Sequence, residues 1–80
     1  MFLIVSIYEW RTTYLAEKQK KYLKMEYDLQ INLDCICSMR AVIVPEDGED
    51  SHYYILEMIN GKEYLIDSED YVRIKKYLKE

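Results

Sequence analysis

Eighty residues, half of them apolar and with only two glycines and one proline, have the composition of one folded domain rather than a disordered segment. The net charge of −4 argues against general nucleic-acid binding, because phosphate contacts draw on Lys and Arg. A chain this short buries only about 60% of the surface its unfolded form exposes, so small proteins usually add a disulfide, a metal or a partner.

The residues favour the partner. Cys35 and Cys37 are the two cysteines. On one strand their Cα atoms would lie about 6.6 Å apart, near the upper limit for a disulfide. A metal would need further ligands, and His52 is the one histidine. Buried free thiols are expected, in keeping with a reducing cytosol. Nine tyrosines stand out, a residue suited both to sheets and to surfaces covered by another molecule.

In chain order, Phe2 to Tyr8 is continuously apolar and β-branched, which suits a strand covered on both faces. It is too short to span a bilayer, and no basic region precedes it as in a signal peptide, so a cytoplasmic protein without membrane contact is expected. Residues 13–24 admit two readings. Ala16 to Lys21 favours helix, with Thr13 as a cap. The preferred alternative is a hairpin with Lys18-Gln19-Lys20-Lys21 at its tip. From Leu23 to Cys37 apolar residues alternate with polar ones until Ile36 breaks the pattern, the signature of a strand with one wet face. Its length calls for a bend or bulge, expected near Ile36.

Met39 to Val44 reads as a further strand, Pro45 to Ser51 as a loop, and His52 to Ile59 as the next strand. Asn60-Gly61 is a strong hairpin signal, returning the chain through Lys62 to Ile66. Asp67 or Ser68 can cap a C-terminal helix, with Glu69 and Asp70 at its positive end and Lys75, Lys76 and Lys79 at its negative end. Tyr71, Ile74 and Leu78 form the helix's apolar stripe. The expected fold is α+β: an antiparallel meander of four to five strands with one C-terminal helix.

A two-residue turn at Asn60-Gly61 would pair Ile59 with Lys62, Leu56 with Leu65 and Ile55 with Ile66. One face then carries Tyr54, Leu56, Met58 and Leu65. The other carries Tyr53, Ile55, Ile59, Tyr64 and Ile66. One helix covers only one face. The second is expected to meet a partner or another copy, unless the sheet closes into a small barrel. The returning strand would end beside the acidic loop. Glu46, Asp47, Glu49, Asp50, Asp67, Glu69 and Asp70 are therefore expected at one pole, near Tyr53 and Tyr54.

Motifs for catalysis are missing from the sequence. Gly48 and Gly61 cannot make a phosphate loop, and neither a Ser–His–Asp spacing nor a C-x-x-C pair occurs. The acidic loop lacks the calcium-binding pattern. A protein without catalytic residues, cofactor or metal is expected. Size, charge and tyrosines point to an interaction module, an inhibitor or adaptor that occludes a site on a larger protein through the acidic pole with Tyr53 and Tyr54. A phage or mobile-element protein blocking a nucleic-acid-binding host enzyme would fit. One alternative is a nucleic-acid-binding regulator whose Arg11, Lys18, Lys20, Lys21 and Lys24 track phosphates. Another is a structural homo-oligomer joined through the second sheet face.

Overall fold

The computed structural model describes residues 1–15, 18–46 and 49–78. Among them are five strands: β1 (Phe2–Leu15), β2 (Lys18–Asn32), β3 (Ile36–Glu46), β4 (Glu49–Met58) and β5 (Glu63–Asp67). A single 3₁₀ turn, Leu33–Cys35, joins β2 to β3, and the helix α1 (Ser68–Leu78) follows β5. The sheet is antiparallel throughout, in the order β2-β1-β5-β4-β3. The α+β architecture with one C-terminal helix is the one expected.

Connectivity forces the sheet to coil. In a flat sheet β2 would end beside Phe2, at the opposite end from the start of β3 beside Met58. Three residues reach only about 10 Å, less than that distance. The sheet therefore curls into a half-barrel, which brings Ile31 and Leu33 into one core with Met58. The Ile59 N–H donates to the Cys35 carbonyl at 2.8 Å across the join. β1 and β5 share one register pair, Tyr8 with Leu65, as expected where strands cross and diverge.

The core lies between the concave face and α1. Val5, Ile7, Ile31, Leu33, Leu56, Met58, Ile66 and Ile74 are buried there. Tyr71 and Leu78 pack against them as the helical stripe requires. Tyr54 and Tyr71 stack with centroids 3.7 Å apart, and Lys75 Nζ lies 5.4 Å from the Tyr71 centroid.

Several expectations need correction. β1 is not covered on both faces: Val5 and Ile7 are buried, whereas Phe2 and Ile4 are exposed. Residues 13–15 and 18–24 are strand, not helix, because cross-strand pairing overrides the helical preference of the lysine segment. Leu15 pairs with Lys18, so Lys18 to Lys21 lie within the strand rather than at its tip. The bulge falls at Glu26, between the pairs Ile7–Tyr27 and Tyr8–Met25. It moves the apolar set of β2 to the other face. Leu29 and Ile31 pair with Val5 and Leu3 on the core side, while Met25 and Leu23 pair with Tyr8 and Trp10 on the opposite side. A second irregularity skips Cys37, next to Ile36, where a bend or bulge is expected. Cys37 is exposed and Cys35 half-buried, both free thiols, against the expectation of burial.

The Asn60-Gly61 reversal exists, but with three loop residues rather than two. The Gly61 N–H donates to Met58 O at 2.9 Å and the Met58 N–H donates to Lys62 O at 2.9 Å. Gly61 holds φ +88°, and Asn60 Oδ1 accepts from the Lys62 N–H at 3.0 Å. A right-handed turn closed by a left-handed Gly is the common three-residue solution. The register slips by one: Leu56 pairs with Tyr64, Ile55 with Leu65 and Tyr54 with Ile66. A slip of one exchanges faces. Tyr64 and Ile66 therefore turn to the core, and Leu65 to the uncovered side.

Helix α1 completes the inner edge of β1. Asp67 Oδ1 accepts from the Asp70 N–H at 2.9 Å, the expected cap. Beyond that point β5 has ended, and the β1 edge needs other partners. Asp70 Oδ2 accepts from the Ser6 N–H at 2.8 Å. Arg73 donates to the Ile4 carbonyl at 3.2 Å and to Asp70 Oδ1 at 2.7 Å. Asp70 is only 5% exposed, so removing it leaves the part-buried Ser6 N–H without its acceptor and takes away the ion-pair partner of Arg73. Asp70→Ala is expected to lose about 2–3 kcal/mol in urea unfolding. Asp70→Asn, which keeps an acceptor for Ser6, should lose less.

Candidate interaction surface

Strand alternation and the bulge determine what the uncovered face presents. Register places Met25, Tyr8, Leu65, Ile55 and Arg40 in one row across the sheet, from edge to edge. Trp10 stands one step along β1 from Tyr8, beside Leu23, and is 52% exposed. Met25 is also exposed, while Tyr8, Ile55 and Leu65 are half-buried.

Two open cavities meet at Trp10. One, of about 310 Å³, runs from Tyr8 and Trp10 to Ile55, Glu63 and Leu65. The other, of about 370 Å³, lies against Trp10, Thr12 and Lys21. Polar pairs flank the apolar row: Arg40 with Glu63 at 2.7 Å, and Ser38 Oγ donating to Glu57 at 2.9 Å. An aromatic and methionine centre within a polar rim is the composition of protein contact sites.

The Tyr8 hydroxyl donates to Asp67 Oδ2 at 3.1 Å, and its ring meets Tyr53 edge-on with centroids 5.2 Å apart. Burial, then the Asp67 hydrogen bond and negative charge, push the Tyr8 phenol up to about 12. Its neutral form is thus favoured in the fold. The associated stability is complete below the ordinary value of 10 and is lost as pH rises towards 12. In a phenolate absorbance titration, Tyr8→Phe is expected to remove one tyrosine from the highest-pH part of the curve. It should also flatten the loss of stability between pH 10 and 12.

Beyond this centre the sheet extends as two narrow arms. Past Trp10, β1 pairs with β2 alone, and before Tyr53, β4 pairs with β3 alone. β1 and β4 run the same way, so the arms project in opposite directions. Leu15 is seven residue steps from Tyr8 and Glu49 six from Ile55. At about 3.3 Å per step that gives roughly 43 Å, in line with the 47 Å long axis.

The first arm carries the basic residues. Arg11 is held by Glu26 and lies 3.9 Å from Glu9. The hydrogen bond and charge of Glu26 push Arg11 further up, and the Arg11 bond pulls Glu26 down. Both are solvent-screened, so the pair adds little stability. Lys18, Lys21 and Lys24 are exposed, and Lys20 pairs with Thr13. Exposed Tyr14 and Tyr22 share the arm.

Backbone register spreads the described part of the expected acidic pole along the sheet. The expected loop from Pro45 to Ser51 is mostly strand: Pro45 pairs with Asp50, and Glu46 with Glu49. Tyr53 pairs with Asp67, so Glu49 stands four residues, about 13 Å, beyond Asp67. Asp67 caps the helix and binds Tyr8, Asp70 is buried, and Tyr54 is stacked under Tyr71. Asp50 and Glu69 are exposed and Tyr53 half-buried, while Asp47 lies outside the described residues. Two signals went unused in the sequence. Asp-Gly at 47–48 is a hairpin dipeptide, and Tyr8, Trp10, Thr12 and Tyr14 alternate along one side of β1.

Among the described residues, no group of three His, Cys, Asp or Glu side chains is placed to hold a metal ion, and no helix is long and apolar enough to cross a membrane. No family model, curated protein or solved structure matches the chain.

Proposed function

We propose that the chain is a non-catalytic interaction module whose uncovered sheet face, centred on Trp10, is covered by another polypeptide. The observation that carries this is the one-sided core. α1 shields the concave face, while Trp10, Met25 and the Tyr8–Leu65–Ile55 row lie on the face it leaves open. A face held by strands acts by covering what it binds, which is the action of an inhibitor or adaptor. The acidic arm around Glu46 to Asp50 would steer a basic partner onto it.

Affinity capture from the native host with mass spectrometry tests this reading. The wild type is expected to retain a partner that Trp10→Ala loses, with circular dichroism and Tm unchanged. Equal capture by both would remove Trp10 as the centre of the contact.

A second reading is favoured by the basic arm, where Trp10 and Tyr14 share one face with Lys21, and Tyr22 shares the other with Lys18 and Lys24. Aromatic stacking with phosphate contact is how single strands are bound. A low-salt gel shift, weakened by Lys18→Glu with Lys21→Glu, would support it. Absence of a shift with single- and double-stranded probes would eliminate it.

A further inference from the structure

We infer that the mouth of the half-barrel is a binding site for a small neutral molecule with an apolar body and a hydrogen-bond acceptor at one end. This goes beyond the contact-surface reading and does not depend on it, since Trp10 is not among the walls of this site.

The site is a consequence of the coil. β2 is an edge strand of the sheet, and the β4–β5 turn is held near its last residues. The Ile59 N–H donates to the Cys35 carbonyl at 2.8 Å, which ties that turn to the link after β2. The link is anchored in its turn, because the Leu33 N–H donates to the Met1 carbonyl at 2.9 Å. Between these fixed walls lies a cavity of about 360 Å³. Ligand sites of this size occur in the mouths of β-barrels, and their walls are largely preformed.

The walls select an apolar, uncharged body. Leu29, Ile31, Met58 and Ile59 line the cavity. Ile31 and Met58 belong to the core, so the cavity opens directly onto it. Ile59 is 69% exposed, an apolar side chain that the fold leaves bare and that an occupant would cover. At roughly 30 Å³ for a water-sized group, the space holds about twelve non-hydrogen atoms. None of the described residues that line it carries a charge. An ion entering it would lose hydration without gaining a counter-charge, which selects against carboxylates and ammonium groups.

Two amides select the other end of the ligand. Asn32 and Asn60 also line the cavity. Asn32 Oδ1 accepts from the Asp34 N–H at 3.0 Å, and Asn60 Oδ1 accepts from the Lys62 N–H at 3.0 Å. Those bonds fix how each amide is turned. The groups turned away from them are the two Nδ2 amino groups, which donate and do not accept. The matching ligand atom is a neutral acceptor, such as a ketone, ester or ether oxygen.

The test is a heteronuclear NMR titration of the full chain with hexyl methyl ketone, with octanoate and octylammonium as charged probes of matching length. The ketone is expected to bind saturably and to shift the Asn32 and Asn60 side-chain amides and the signals of Ile31 and Met58. Neither ion should do so. In a Cys37→Ser background the ketone should also slow alkylation of Cys35, the half-buried thiol on the cavity wall. Asn32→Asp/Asn60→Asp keeps both oxygens for their backbone N–H groups and replaces both donors. With circular dichroism and Tm unchanged, this variant should bind the ketone at least about ten-fold more weakly, as the loss of its hydrogen bonds requires. Shifts that rise without saturating, or that scatter over the sheet, overturn the site, as does alkylation of Cys35 at an unchanged rate. Equal binding of either ion overturns the neutral class. A folded double variant that binds the ketone as the wild type does overturns the donor role of the amides. Each of these failures leaves Trp10-dependent capture of a protein partner untouched.

Discussion

The inner edge of β1 is where this structure is held together. Two hairpin units, β1–β2 and β3–β4–β5, meet there through one strand pair, Tyr8 with Leu65. A single pair leaves the adjoining backbone groups of β1 without a strand partner. Asp70 and Arg73 supply it from the helix, on Ser6 and Ile4. Tyr8 adds a side-chain tie to Asp67, where β5 becomes α1. Strand, turn and helix are therefore fastened at one place, and each depends on the others.

The remaining architecture follows from that crossing. Strands that diverge after one pair let the sheet coil, and coiling lets three residues join β2 to β3. The coil encloses one face with α1 and leaves the other convex and open. It also leaves two ribbons projecting past the ends of β5. What reaches solvent is an aromatic centre flanked by two arms of opposite charge. The carboxylates nearest the helix, Asp67 and Asp70, are spent on internal bonds. Of the other described carboxylates expected at the acidic pole, Asp50 on the far arm and Glu69 on the helix are exposed.

Much of this was readable from the residues, because it depends on local chemistry. The alternation of Leu23 to Ile31 requires a strand. Asn60-Gly61 requires a reversal, and Asp67 with the Tyr71–Ile74–Leu78 stripe requires a capped amphipathic helix. What was misread depended on one-residue offsets. Type I′ and three-residue turns both use Asn-Gly, yet they differ by one in register, which exchanges Leu65 for Ile66 on the core face. The bulge at Glu26 has the same effect on β2, sending Met25 and Leu29 to opposite sides although their spacing is unbroken. Trp10 was overlooked because its importance depends on which face α1 leaves bare.

The amino-acid sequence alone determined the element types, the positions of the reversals and the opposite charge of two segments, since propensity, turn chemistry and charge act between near neighbours. Only the tertiary structure decided which face is buried, which carboxylates are consumed internally and that the charged segments point apart. Those outcomes depend on bulges, on the β1–β5 crossing and on the coil of the sheet, and all of them are set by contacts between residues far apart in the chain.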